Sequence, residues 1–140
     1  MDGGDGGGGV SLAHLIAAAN RRLEDELAAQ LRPRGLSIEQ FRVLESLARD
    51  GETTMGALAG AVLVERPTLT KIVDRMSAAG LVRRAPDAVD RRRVHLRLTE
   101  AGARMVDDVL AAAEAQERRI AQRLEDVGET VARKVLQALA

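Results

Sequence analysis

RPTLTKIVDRMSAAGLVRRAPDAVDRRRVHLRLTEAG, from Arg66 to Gly102, is the stretch whose reading decides the fold. In its first half Leu69, Ile72, Val73 and Met76 recur at three- and four-residue spacing and share one helix face. Pro67 falls in the first turn, where a missing N–H costs nothing. Gly80 stands where a left-handed residue closes a helix, and Leu81 supplies the apolar contact usual after it. Beyond Gly80 the period changes from 3.6 to 2. Leu81–Arg84 reads as a short strand, Pro86, Asp87 and Asp90 as a turn, and Arg93–Leu98 as a second strand with Val94, Leu96 and Leu98 inward. The helix must dock its apolar stripe, which leaves Arg66, Thr68, Thr70, Lys71 and Arg75 on the opposite side. The hairpin tip carries Asp90, Arg91, Arg92 and Arg93.

Upstream lies a short helix, capped by Thr53 or Thr54, with Met55, Leu58, Ala59 and Val62 on one stripe. Before it, Ser37 and Gln40 form a capping-box signature for a helix with Phe41, Leu44 and Leu47, stopped by Gly51. A first helix begins at Ser11 with Leu12, Ile16, Ala19, Leu23, Leu27 and Leu31 in register, and Pro33 with Gly35 ends it. Downstream, Thr99 caps a long helix bearing Val106, Val109, Leu110, Ala113, Ile120 and Leu124. Asp126 and Glu129 read as a second capping box opening a last helix with Val131, Val135, Leu136 and Leu139. The expected fold is mainly α with a small β-hairpin wing (α+β): a winged helix-turn-helix with N- and C-terminal dimerisation helices. Residues 1–9 are glycine and aspartate after the initiating methionine and read as a flexible tail. Residues 10–140 are expected to form one domain, with outer helices in 10–33 and 99–140 flanking a winged lobe over 36–98.

Composition narrows the chemistry. The chain has 140 residues, 46% of them hydrophobic, and Phe41 is its one aromatic, so the core must be aliphatic. There is no cysteine, and His14 and His95 lie far apart, so no disulfide, metal or cofactor is expected. No convergent acid, base and nucleophile appears, and the chain reads as a non-enzyme. No apolar run approaches the roughly 20 residues of a membrane span, and no secretory signal layout is present, so the expected location is cytoplasmic. Net charge is zero, yet residues 65–97 hold 9 basic and 4 acidic side chains, an excess of +5. Such a concentration is the footprint of a polyanion-binding face, although a solvated basic surface gives the same count.

The segment from Leu36 to Gly102 closely resembles the MarR family of bacterial transcription regulators. The resemblance is carried, in collinear order, by LSIEQFRVLESLARDGETTMGALAGAV, ERPTLTKIVDRMSAAGLVRR and DRRRVHLRLTEAG. Its most specific part is Asp90–Arg91–Arg92 followed at fixed distance by Leu98–Thr99 and Gly102. The resemblance implies a homodimeric regulator of double-stranded DNA, a repressor released by a small molecule. Arg66, Thr68, Thr70 and Lys71 would face the major groove. Of Arg91 and Arg92 at the wing tip, one would probe the minor groove and the other be held by Asp90. Arg93 and Arg97 would touch phosphate or remain solvated, and Arg75 would contact DNA or pair with Asp74 or Glu45.

The outer helices carry more apolar residues than one small winged-helix core can cover. Leu12, Leu15, Ile16, Ile120, Leu124, Val131, Val135, Leu136 and Leu139 are the expected dimer contacts. Pairing would set two recognition helices about one DNA turn, roughly 34 Å, apart on a pseudo-palindromic operator. In the family an effector oxidises a cysteine or fills a cleft between the dimerisation helices and the DNA-binding lobe; the first route is closed here. A cleft near His14, Arg21, Arg22 and Phe41 would take a small apolar or carboxylate-bearing ligand. His14 reads as a surface or hydrogen-bonded histidine ahead of a pocket residue, His95 as a solvated strand residue, and Met55, Met76 and Met105 as core filler. Gly102 implies close packing against the wing strand. The competing function is a winged-helix protein-interaction module without specific DNA binding, against which the arginine-rich wing argues.

Overall fold

The computed structural model describes residues 9–140, so the stretch read as a tail lies outside the described residues apart from Gly9. Helix α1, Leu12–Leu31, starts where Ser11 Oγ accepts the backbone N–H of His14 at 3.2 Å. A 3₁₀ turn at Arg32–Arg34 and Gly35, at φ +69°, close it. Helix α2, Ile38–Asp50, opens on the expected capping box: Ser37 Oγ accepts from Gln40 N–H at 3.2 Å and Gln40 Oε1 from Ser37 N–H at 3.0 Å. Strand β1, Thr53–Thr54, leads into α3, Met55–Val62, and Thr54 is the cap, accepting from Ala57 N–H at 3.3 Å. Leu63, at φ +64°, turns the chain into α4, Arg66–Ala78. Strands β2, Val82–Pro86, and β3, Val94–Leu98, precede α5, Glu100–Arg123, and α6, Glu129–Leu139.

Three expectations need correction. The hairpin belongs to a three-stranded antiparallel sheet of order β1-β3-β2, with Thr53 opposite Leu96 and Thr54 opposite His95. A two-residue strand has no period to read, and only the folded neighbour β3 makes it a strand. Strand β2 runs from Val82 to Pro86 rather than from Leu81 to Arg84. No capping box forms at Asp126 and Glu129. The turn after α5 places Gly128, at φ +90°, at the N-cap of α6, and its N–H donates to Leu124 O at 2.7 Å.

The core gathers Phe41, Val43, Leu44 and Leu47 of α2, Leu58 and Val62 of α3, Leu69, Val73 and Met76 of α4, Val82, Leu96 and Val109. Every buried large side chain is aliphatic or sulfur-bearing apart from Phe41. Met55 and Met76 lie in the core and Met105 packs against it. Gly102 does mark a close approach: a Cβ there would stand 2.0 Å from Leu81 O and 3.2 Å from Leu98 Cδ2. At the same seam Thr99 N–H donates to Leu81 O at 3.1 Å and Thr99 Oγ1 donates to Gly80 O at 2.5 Å. The exit of α4 is thereby fixed to the first turn of α5.

The outer helices stay largely uncovered. Leu31 is the one fully buried residue of α1, and α6 has none. Leu12 and Leu139 are 66% and 65% exposed; Leu15, Ile16, Val131, Val135 and Leu136 are exposed too, while Ile120 and Leu124 are half-buried. Polar links join α1 to α5, where Gln116 donates to Leu23 O at 2.8 Å and Arg123 pairs with Glu26 at 3.1 Å, and join α1 to the lobe through Arg42 and Glu24 at 3.0 Å. Among the described residues no helix is long and apolar enough to cross a membrane.

Candidate nucleic-acid interface

Helix α4 buries Leu69, Val73 and Met76 and turns Arg66, Thr68, Thr70, Lys71 and Arg75 to solvent, as its periodicity predicts. Its first turn holds Pro67 and no side-chain cap, so the free N–H groups there face outward. Thr70 Oγ1 donates to Arg66 O at 3.0 Å, which leaves its methyl and lone pairs to the surface. The two ion-pair partners considered for Arg75 do not hold it. Asp74 is taken by Arg84 at 2.5 Å, and among the described residues neither Arg75 nor Glu45 makes an ion pair. Register explains the Asp74 contact, because Arg84 lies opposite Leu96 and shares the sheet face turned to the helices.

Two aspartates build the wing turn. Asp87 Oδ1 accepts the backbone N–H groups of Val89 and Asp90 at 2.8 and 2.9 Å, and Asp90 Oδ1 accepts from Arg92 N–H at 3.0 Å. The backbone closes the turn through Asp87 N–H to Arg93 O, 3.2 Å, and Arg93 N–H to Asp90 O, 3.0 Å. Asp90 therefore holds a backbone amide, and no guanidinium of Arg91 or Arg92 rests on it. Arg91, Arg92 and Arg93 are exposed. The Asp87 carboxyl is held well below the usual carboxylate range, first by the Asp90 N–H, then by His95 and the Val89 N–H, against an opposing effect of burial.

Recognition helix and wing meet at one place. Arg66 of α4 and Arg92, Arg93 and Val94 of the wing line a cleft of about 340 Å³ with Thr54, Met55 and Gly56 at the N-terminus of α3. Three arginines and the N-terminal end of a helix, which carries partial positive charge, thus line one cleft. An anion is the ligand chemistry such a lining would favour, since a phosphate accepts bidentate bonds from arginine. Thr54 and Gly56 were not legible as site residues, since nothing in the sequence places α3 against the wing.

His95 departs from its expected role as a solvated strand residue. It is half-buried, its Nε2 donates to Asp87 Oδ2 at 2.6 Å, and its Nδ1 lies 3.7 Å from Glu52 Oε1. A carboxylate only accepts, so the proton sits on Nε2.

A second cavity, of about 310 Å³, opens between α2 and α5 and is lined by Phe41, Leu44, Ala48, Val106, Val109 and Leu110, with Glu45 and Arg49 at its edge. Phe41 lies where a ligand cleft was expected. His14 and Arg21 do not join it; both are exposed on α1. Arg49 is already engaged, with Nε and a terminal nitrogen each 3.0 Å from Asp50.

Comparison with known proteins agrees with this geometry. The family model described as MarR family matches residues 34–93. An uncharacterised HTH-type transcriptional regulator of Mycobacterium bovis is 34% identical over 113 residues, 81% of this chain and 77% of the relative. The crystal structure of a MarR family transcriptional regulator of Silicibacter pomeroyi is 33% identical, with TM-score 0.79 over 92% of this chain and 95% of that one. A variant of E. coli MarR complexed with operator DNA is 25% identical, with TM-score 0.82 over 91% of this chain and 92% of that one.

Proposed function

This chain belongs to the MarR family of transcriptional regulators, and we propose that it works as a homodimeric repressor released from its operator by a small ligand. As a DNA-binding regulator it is not an enzyme. The observation that carries the reading is the convergence of Arg66, Arg92 and Arg93 on the α3 N-terminus. In this reading residues 36–98 form the DNA-binding lobe. Helix α4 enters the major groove with Arg66, Thr68, Thr70, Lys71 and Arg75, and the wing lays Arg91, Arg92 and Arg93 on the flanking backbone and minor groove. The turn set by Asp90 presents those arginines. Residues 10–33 and 99–140 pair two copies. Exposed Leu12, Leu15 and Ile16 of α1 and Val131, Val135, Leu136 and Leu139 of α6 support that, with Ile120 and Leu124 at the edge.

The ligand reading rests on the α2–α5 cavity. Its walls are apolar, and Arg49, the cation at its edge, is already bound by Asp50, so burial supplies most of the affinity. A small apolar molecule fits it, and a carboxylate-bearing one must compete with Asp50 for Arg49. To release DNA the ligand must bind the two dimer geometries unequally.

The test is binding to a duplex recovered from a random-DNA pool, titrated with salt. If the three cleft arginines of each subunit each neutralise one phosphate, log K against log salt falls with a slope of about −5. A flat response at a specific site refutes the reading. Arg92→Ala should weaken binding across sequences, whereas Arg66→Ala or Thr70→Ala should cost about 1–3 kcal/mol at particular base pairs. Equal, sequence-independent losses would mean that the helix grips only the backbone.

A further inference from the structure

We propose that His95 is a positioning residue for DNA binding: it suspends the wing turn from the sheet through Asp87 and so aims Arg92 and Arg93 at the cleft beside α3. The proposal rests on the reading of the wing as a DNA contact. His95 stands in the central strand of the sheet, opposite Thr54 on one side and Ala85 on the other. It therefore belongs to the most constrained part of the lobe, and Thr54 is also the cap of α3. Its Nε2–H reaches the Asp87 carboxylate at 2.6 Å, and the other oxygen of that carboxylate holds the N–H groups of Val89 and Asp90. One side chain thus connects the sheet to the two amides that define the turn.

The geometry beyond the turn depends on that connection. Arg93 N–H donates to Asp90 O, and Arg92 N–H to Asp90 Oδ1, so both arginines take their backbone orientation from Asp90, which takes its own from Asp87. Without His95 the Asp87 carboxylate would keep its local amide bonds but lose its anchor, and the turn would swing as a unit about the ends of β2 and β3. Glu52, 3.7 Å from Nδ1, bounds the ring on its other side, at the start of the segment that enters β1. The ion pairs that fix the rest of the lobe, such as Arg84 with Asp74, do not reach the turn.

The experiment measures affinity of the full-length chain for a duplex selected from random DNA, at fixed salt and pH. The chains compared are the wild type, His95→Leu, His95→Gln, Asp87→Ala, the His95→Leu/Asp87→Ala double variant and Arg92→Ala. Loss of the anchor should raise Kd about tenfold in His95→Leu and in Asp87→Ala, with the double variant no worse than about twofold beyond either. His95→Gln, whose amide N–H replaces Nε2, should recover most of the loss. Amide resonances of Val89, Asp90 and Arg92 should shift and broaden in His95→Leu while those of α4 stay put. Because Asp87→Ala removes the turn's two amide bonds together with the His95 link, recovery in His95→Gln, which keeps the donor, is what separates loss of the anchor from damage to β3. Wild-type affinity in Asp87→Ala together with a loss in Arg92→Ala overturns the positioning role and leaves the wing contact standing. Wild-type affinity in both refutes the wing contact itself, and additive losses in the double variant show that the two residues act separately.

Discussion

Gly102→Ala is the sharpest structural test. The added Cβ would lie 2.0 Å from Leu81 O and 3.0 Å from its carbonyl carbon, so the backbone must separate by more than 1 Å. The carbonyl that would be struck accepts the Thr99 N–H at 3.1 Å, and the neighbouring Gly80 O accepts the Thr99 hydroxyl. Separation stretches both bonds at a half-buried seam. Overpacking costs about 1–3 kcal/mol, and one weakened backbone bond adds about 1 kcal/mol. Against this, alanine is the better helix former by about 1 kcal/mol. The net expectation is a loss of about 1–3 kcal/mol, or about 3–10 °C in melting temperature for a chain of this size. Urea and thermal unfolding followed by circular dichroism, at one protein concentration because a dimer's stability depends on it, measure the loss. The seam also joins the exit of α4 to the helix leading towards the outer surface, so DNA affinity should fall alongside stability. A variant as stable as the wild type would show that the first turn of α5 does not pack on Leu81, and the argument for the seam would fail.

Leu63→Gly tests the turn between α3 and α4. Leu63 is 77% exposed at φ +64°, a conformation costing an L-residue roughly 1–2 kcal/mol, while glycine costs about 0.5–1 kcal/mol in chain entropy. Stability should rise by up to about 1 kcal/mol in urea; a loss would mean that the exposed leucine makes a contact of its own. Acid should loosen the wing through Asp87. Its folded carboxyl is held below the unfolded value, so its contribution is intact above about pH 4 and is lost as pH falls further through the folded value. Protection factors of the Val89 and Asp90 amides, with the intrinsic pH dependence of exchange divided out, should stay flat from pH 7 to 4 and fall below, and Asp87→Asn should remove the transition. Removing residues 129–140 takes away Val131, Val135, Leu136 and Leu139, and sedimentation should show a monomer. A folded dimer would place the interface elsewhere.

Much of the fold was legible because helices and caps are local. Four residues at helical spacing, Pro67 at the start and Gly80 at φ +73° at the end settle α4 without reference to anything distant. Ser37 and Gln40 do the same for α2. The misses share a cause, since each depends on a partner far along the chain. Thr53–Thr54 becomes a strand only because Leu96 and His95 come alongside. His95 alternates outward as period 2 requires, yet outward here means toward Asp87 and Glu52, which the fold delivers from eight residues before it and from the far side of α3 and α4. The basic residues were identifiable one by one, but the cleft was not. Arg66 and Arg92 are brought together by the return of the hairpin over α3, a distance that spacing does not encode.

The neutral total charge follows from the same division of labour. An excess of +5 is confined to residues 65–97, the segment spanning α4 and the wing, and the remaining residues carry the compensating −5. The outer helices, 10–33 and 99–140, carry only −2 between them, whereas a polyanion approaching the wing meets several guanidinium groups beside aspartates already engaged: Asp74 and Asp87 are paired and Asp90 holds the Arg92 amide. The three aspartates inside the basic segment therefore shape it, and Glu65, at the N-cap of α4 beside Arg66, is the acidic residue there that makes no ion pair among the described residues. In the proposed reading orientation is set before contact, and the contact itself is left to Arg66, Arg92 and Arg93 around the end of α3. In such an arrangement the precision of the wing matters more than its charge. A turn carrying the same arginines but free to swing would keep the attraction and lose the fit, and the hydrogen bond from His95 to Asp87 is the connection that opposes that motion.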